Sequence, residues 1–183
     1  MSGNDRTTGA EPPAAGLALR DAVAADLAQI AGLHRAAFGG EAEALLVERL
    51  HAAGAALVSR VAAGDDGIAG HILFSPAGLE AADGPALAAL APMAVRPRRQ
   101  RQGIGSRLVD DGLERCRLRG IEAVVVLGHA GYYPRFGFRP ASVFGLSCRW
   151  DVPDEAFMAL ELVPGALGGA GGRVCYHPLF AEL

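Results

Sequence analysis

The chain has 183 residues and a formal net charge of −3. This length suits one domain, which can bury about 70% of its unfolded surface without disulfides or metals. The acidic balance argues against a general nucleic-acid binder and against an anionic-membrane binder, because both need a strongly basic face.

The N-terminal segment Met1 to Gly16 mixes Ser, Thr, Gly, Pro and charge without an apolar signal-peptide core. We therefore expect a disordered lead-in, followed by a single domain over residues 17–183. The longest apolar run, Ala86 to Val95, has ten residues and cannot cross a bilayer as a helix. The three cysteines are far apart and the histidines lack ligand spacing. These features predict a reduced, cytoplasmic protein without a metal site or a membrane partner.

A short strand, two helices and a hairpin are predicted in the first part of the chain. The strand is Leu17 to Arg20, and apolar residues at helical spacing predict helices over Asp26 to Phe38 and Glu41 to Ala53. Strands at Ala55 to Ala63 and Gly67 to Ser75 flank a Gly-Asp-Asp-Gly turn, which is a strong hairpin signal.

The apolar run Ala86 to Val95 is predicted to be a buried central strand, although it contains Pro92. Proline cannot donate to a strand ladder and is normally confined to edge strands or bulges. The residues alone leave both positions open. A bulge would leave strand groups unpaired beside Pro92.

A basic, glycine-containing turn, Gln100-Arg101-Gln102-Gly103-Ile104-Gly105-Ser106, joins that strand to an amphipathic helix predicted over Gly103 to Arg119. Backbone N–H groups at a helix start lack intrahelical partners, and glycines let an anion approach them closely. The helix dipole adds the equivalent of roughly half a positive charge there. Four arginines and no acidic residue lie between positions 96 and 101. The segment predicts a phosphate-binding site, with a basic surface turn as the alternative.

The rest of the chain is predicted to complete the sheet. Ala123 to Leu127 is a short apolar strand, and a strand-helix-strand unit of this kind normally makes a right-handed parallel crossover. The phosphate site then lies at the carboxyl end of the central strand. Strands predicted at Ala156 to Leu162 and Arg173 to His177 flank a Pro/Gly-rich loop, so we expect a long hairpin.

Two segments resemble the GNAT superfamily of N-acetyltransferases. Gln100 to Gly105 fits its Gln/Arg-x-x-Gly-x-Gly/Ala motif, and Tyr133-x-x-x-Gly137-Phe138 fits its Tyr-x-x-x-Gly-Phe segment. The run from Tyr132 to Phe138 and the tail are similar to the YhbS-like branch of the superfamily. The resemblance implies a mixed α/β fold, with a central mixed β-sheet splayed at the cofactor strand and flanked by helices.

The same resemblance implies direct transfer of an acetyl group from acetyl-CoA to a primary amine of a small molecule or protein. The pantetheine arm would lie in a gap beside a bulge at Pro92. The residues expected to bind the cofactor are Met93, Ala94, Val95, Arg98, Gln100, Arg101, Gln102, Gly103, Ile104, Gly105 and Ser106. The alternative is a non-catalytic acyl-CoA-binding or regulatory domain. A homodimer is left open, and no nucleic-acid partner is expected.

Acetyl transfer to an amine needs a proton donor for the departing thiolate and a base for the amine. A phenol has a pKa near 10, stays protonated at neutral pH and can donate as the thiolate develops. Tyr133 is therefore the predicted general acid, whereas Tyr132 is interpreted as a packing residue. The sequence does not single out the base: Glu41, Glu43 and His129 are candidates, directly or through water. Many relatives have an asparagine near His129.

Overall fold

The computed structural model describes residues 16–80 and 84–182, so the predicted lead-in lies outside the described residues except for Gly16. Its three α-helices are α1 (Leu27–Phe38), α2 (Ala42–Ala52) and α3 (Ile104–Leu118). Its strands are β1 (Ala18–Asp21), β2 (Val58–Gly64), β3 (Gly67–Leu79), β4 (Leu87–Val95), β5 (Ala123–Leu127), β6 (Arg139–Pro140), β7 (Leu146–Ser147), β8 (Phe157–Glu161) and β9 (Gly172–Tyr176). None of the helices in these ranges is long and apolar enough to cross a membrane.

The strands form one mixed sheet in the order β1-β2-β3-β4-β5-β8-β6, and β9 pairs with β3 and β7 outside this path. Alternate residues of β3 point to opposite faces, as the strand period requires. Phe74 packs with Leu108 of α3, whereas Leu73 packs with Leu33 of α1 and Leu50 of α2. Helices therefore cover both faces, which confirms the predicted mixed α/β fold.

The sheet is splayed between β4 and β5. Their parallel ladder joins Leu87–Ala89 to Ala123–Val125, although β4 runs on to Val95. On the other side of β4, Met93 lies opposite Ile72 and Leu90 lies opposite Phe74, so two residues of β4 face one residue of β3. This register shift is a bulge that contains Pro92, within a strand that lies inside the sheet. The bulge is confirmed and the edge-strand alternative is wrong.

The predicted hairpin in the tail is wrong, because the two strands pair with different partners. β8 pairs with β5 and β6, whereas β9 pairs with the end of β3 through Ala77–Leu79. The reason is a difference in strand length: β3 has 13 residues, but β2 has seven and leaves it after Phe74. β9 occupies the strand edge that β2 leaves open.

A chain of hydrogen-bonded polar side chains, buried at His34 and His71 and partly buried at Ser59 and His51, ties α1 and α2 to the sheet. His34 Nε2 lies 2.9 Å from His71 Nδ1, His71 Nε2 lies 3.0 Å from Ser59 Oγ, and Ser59 Oγ lies 3.0 Å from His51 Nε2. His34 and His71 are fully buried. Burial lowers the pKa of His34 to about 4 and that of His71 well below its ordinary value. Both imidazoles are therefore neutral at pH 7.

Candidate active site

A cavity of about 960 Å³ opens where β4 and β5 separate. This volume is typical of small-molecule and cofactor sites. The described residues that line it come from both faces of the sheet and from the tail: Phe38, Glu43, Leu46, Leu90, Ala91, Pro92, Met93, Val95, Arg99, Gln100, Arg101, Gly103, Ile104, Gly105, Ser106, Leu127, Gly128, His129, Tyr132, Tyr133, Arg135, Trp150, Tyr176 and Phe180.

The first turn of α3 forms one end of this cavity. Gly103 precedes the helix in the left-handed conformation, with φ 77°, and open space surrounds the position of a Cβ. Glycine is therefore required here by the backbone conformation rather than by a close contact. No side chain caps this turn and it contains no acidic residue. Its free N–H groups are suited to bind an anion.

Gly105 differs from Gly103, because here the Tyr132 side chain approaches the position of a Cβ closely. A Cβ at Gly105 would lie 2.8 Å from the Tyr132 hydroxyl oxygen and 3.7–3.8 Å from atoms of Val95 and Met93. The Tyr132 hydroxyl also interacts with the Ser106 side chain. Tyr132 thus contacts the first turn of α3 through its hydroxyl, which its interpretation as a packing residue did not anticipate.

The arginines of the preceding turn have different surroundings. Arg99 and Arg101 line the cavity, whereas Arg98 and Gln102 lie outside its wall. Gln102 braces the turn: its Nε2 donates to the Arg98 carbonyl oxygen at 3.3 Å, and its Oε1 accepts from Arg99 Nε at 3.2 Å. Arg96 Nη2 donates to the carbonyl oxygens of residues 66 and 68 in the β2–β3 turn region. Among the arginines of this turn, Arg99 and Arg101 therefore place positive charge at the cavity. The sequence analysis counted Arg99 in the basic turn but did not include it among the expected cofactor-binding residues.

The end of β4 supplies the adjoining wall. Met93 and Val95 line the cavity, whereas Ala94 is buried in the core on the side of α1 and α2. The side chain of Gln100 donates from Nε2 to the Val95 carbonyl oxygen at 3.2 Å. Ile104 reaches both the cavity and the core beneath α3. The turn after β4 is thereby fixed relative to the strand.

Tyr133 lies in the cavity wall and is 7% exposed. Its ring meets those of Tyr132 and Phe138 edge to face, with centroids 5.1 Å and 5.6 Å away. The ring also packs so closely on Gly128 that a Cβ there would collide with it. Burial raises the pKa of Tyr133 above its ordinary value. The phenol therefore stays protonated at neutral pH.

Two of the three candidate bases reach the cavity. Glu43 is half-buried at the start of α2, and His129 is exposed beyond β5, and both line the wall. Glu41 lies outside the wall, where its two carboxylate oxygens accept from Arg35 Nε at 2.7 and 2.8 Å. This exposed ion pair ties Glu41 to the end of α1.

A group of aromatic residues lines the part of the cavity next to α1 and α2. Trp150 and Tyr176 have ring centroids 4.8 Å apart, and Tyr176 and Phe180 have centroids 5.3 Å apart. Phe38 at the end of α1 also reaches the cavity. The sequence analysis did not select these residues, since β9 carries Tyr176 to this wall by a pairing that no local pattern indicates.

Comparison with known proteins gives matches along most of the chain. A family model for an acetyltransferase (GNAT) domain matches residues 55–140. The chain is 36% identical over 163 residues to the N-acetyltransferase YhbS of Escherichia coli K12, covering 88% of this chain and 97% of the relative.

Two crystal structures are similar to the fold over nearly the whole chain. The GNAT family N-acetyltransferase YhbS from Escherichia coli, in complex with CoA, has a TM-score of 0.87 at 36% identity and covers 92% of this chain and 94% of its own. A GNAT family acetyltransferase from Brucella melitensis, in complex with acetyl-CoA, has a TM-score of 0.75 at 33% identity and covers 90% and 97%.

Proposed function

Because the chain belongs to the GNAT family of N-acetyltransferases, we propose that it transfers an acetyl group from acetyl-CoA directly to a primary amine. The observation that carries this proposal is that one cavity is lined by the first turn of α3, the splayed end of β4 and Tyr133. In the proposed reaction the first turn of α3 is the phosphate seat, which is the site that binds the phosphates of CoA. The splayed end of β4 holds the pantetheine arm, and Tyr133 donates a proton.

The residues around the first turn of α3 fit the diphosphate of CoA. Free N–H groups follow Gly103, and the side chains of Arg99 and Arg101 add positive charge beside them. We assign diphosphate binding to Gln100, Arg101, Gln102, Gly103, Ile104, Gly105 and Ser106, with Arg98 as a more distant charge. The backbone of Met93, Ala94 and Val95 is assigned to the pantetheine arm, because the separation of β4 from β5 leaves this part of β4 without a partner strand on that side.

In the proposed reaction the amine nitrogen forms a bond to the acetyl carbonyl carbon as the bond between that carbon and sulfur breaks. The amine must first be neutral, since an alkyl ammonium has no free lone pair. The ammonium proton passes to Glu43 or His129, directly or through water, because these two candidate bases line the cavity. Once the C–N bond has formed, the nitrogen loses a second proton to water, which leaves the neutral amide. The departing thiolate accepts the phenolic proton of Tyr133, and solvent later returns a proton to the phenolate.

Replacing Tyr133 with phenylalanine tests the proposed proton donor. The ring and its packing on Gly128 remain while the hydroxyl is lost. We expect CoA affinity, measured by calorimetry, to stay within about twofold of wild type, while turnover falls by about 10²–10⁴. Intact affinity together with a wild-type rate, where chemistry limits turnover, would assign Tyr133 to packing alone. Acetyl-CoA binding without turnover by the wild-type protein on any amine would favour a non-catalytic acyl-CoA-binding domain.

We further propose that residues 17–183 form the single catalytic domain and that the protein works in the cytoplasm. Cys116, Cys148 and Cys175 form no disulfide, which supports a reducing compartment.

A further inference from the structure

The charged residues around the cavity are divided between its two ends. Arg99 and Arg101 lie at the end formed by the turn before α3, and Arg135 lies over the Tyr132 ring at 4.8 Å from its centroid. Glu43 of α2 is the one carboxylate among the described residues that line the cavity. An anionic group is therefore favoured near α3, and a single positive charge is favoured near α2.

The part of the cavity near Glu43 is also its most aromatic part. Phe180 is buried in the same core cluster as Leu46, one turn along α2 from Glu43, and Trp150 and Tyr176 pack against that cluster. Phe38, at the end of α1, is 48% exposed although it lines the cavity. Aromatic faces attract both apolar groups and cations. This wall is suited to an apolar body that carries a cationic head.

Local contacts hold Trp150 in this wall. Its edge-to-face contact with Tyr176 fixes one side of the indole, and the guanidinium of Arg149 lies 5.4 Å from its ring centroid. The Cys148 thiol donates to the Trp150 carbonyl oxygen at 3.5 Å. The indole is therefore a preorganised surface rather than a freely moving side chain.

We propose that the acceptor is a primary amine with a single positive charge on an aromatic or comparably bulky apolar body. Trp150, Tyr176, Phe180 and Phe38 bind the body, and Glu43 attracts the ammonium. This inference rests on the proposed acetyltransferase function and adds the substrate class. A polyamine is disfavoured because the described residues that line the cavity offer one carboxylate, Glu43, to its several positive charges. A lysine side chain in a peptide lacks the apolar body that the aromatic wall would cover.

The amine preference of the full-length protein tests this substrate class. Thiol release from acetyl-CoA is measured with 2-phenylethylamine, methylamine, spermidine and a lysine-containing peptide. We expect kcat/KM for 2-phenylethylamine to exceed that for each of the others by about tenfold or more, since burial of a phenyl group is worth at least that much. A preference for spermidine or the peptide overturns this inference alone. Release with none of the amines overturns the proposed function, and this inference with it.

Two substitutions assign the preference to the wall. Glu43→Gln should raise KM for 2-phenylethylamine by about tenfold, as expected for a partly buried ion pair, while CoA affinity is unchanged. Glu48→Gln makes the same charge change on α2 outside the cavity wall and should leave KM unchanged. Trp150→Leu should raise KM for 2-phenylethylamine several-fold more than KM for methylamine, which has no body to bind. If Trp150→Leu raised KM for the two amines equally, the inference would be overturned. An unchanged KM for 2-phenylethylamine in Glu43→Gln would overturn it as well.

Discussion

Lowering the pH from 7 toward 4 should destabilise the folded protein through its buried histidines. Burial lowers the pKa of His34 from 6.5 to about 4 and holds that of His71 well below 6.5. As the pH falls below 6.5 the unfolded chain binds protons at these imidazoles but the folded chain does not. Their contribution to stability is therefore complete above pH 6.5 and is lost as the pH falls toward 4.

The size of this loss follows from the difference between the two pKa values. For His34 alone the difference of about 2.5 pH units corresponds to about 3 kcal/mol, at about 1.36 kcal/mol per unit. This is a large fraction of the roughly 5–15 kcal/mol by which most domains are stable. Arg20 lowers the pKa of Asp26 from 3.8 to about 2. The contribution of Asp26 to the folding free energy is therefore lost only below pH 3.8, under the pH range in which His34 has its effect.

Urea unfolding at several pH values between about 7 and about 4.5 measures the effect. In the wild type the free energy of unfolding should fall with pH, and in His34→Leu the slope should decrease by up to about 1.36 kcal/mol per pH unit. Ile30→Val is the control: Ile30 is fully buried on the same helix and cannot titrate. This change should cost about 0.5–1.5 kcal/mol at every pH without altering the slope. Equal slopes in the wild type and His34→Leu would refute the reasoning.

Three further predictions concern the phosphate seat and the N-terminal segment. Gly105→Val should weaken CoA binding at least tenfold, as measured by calorimetry, because the new Cβ would collide with the Tyr132 hydroxyl and close the space beside Val95. Unchanged CoA affinity in a correctly folded variant would show that this turn does not bind the phosphates. Arg101→Ala should weaken CoA binding less, and the difference should shrink with added salt, since exposed charges are screened over about 8 Å at physiological ionic strength. Removing residues 1–16 should leave the melting temperature and CoA affinity nearly unchanged, and a large loss in either would show that the segment contacts the fold.

The parts of the fold that local sequence patterns could predict are those in which neighbouring segments pair or pack. The β2–β3 hairpin and the order β4–α3–β5 were predicted from turn chemistry and periodicity, and both are confirmed. The residues alone left the position of Pro92 open between an edge strand and a bulge; the bulge, which the resemblance to the GNAT superfamily implied, is confirmed. The family motifs also lie in this continuous stretch. The mixed sheet splayed at β4 is confirmed with them.

The rest depends on contacts between distant segments, which local patterns do not encode. Predicting that β9 pairs with β3 requires the knowledge that β2 is too short to cover its neighbour. The aromatic wall follows from that pairing, so Trp150 and Tyr176 carried no signal of their own. The same applies to His34 and His71, which are 37 positions apart and form a hydrogen-bonded pair only in the fold. The sequence analysis selected Arg98 rather than Arg99, because the position of each arginine side chain relative to the cavity is known only from the fold.

The pairing of β9 with β3 also bears on self-association of the protein. An uncovered strand edge presents unpaired N–H and C=O groups that can template the addition of another chain. β9 shields this edge through Val174 and its neighbours, and the same short strand holds Tyr176 in the cavity wall. Substitutions in β9 that change the cavity can therefore also expose the unpaired edge of β3, to which another chain could bind. In this protein, the shape of the cavity wall and the protection of the β3 edge therefore depend on the same three-residue ladder.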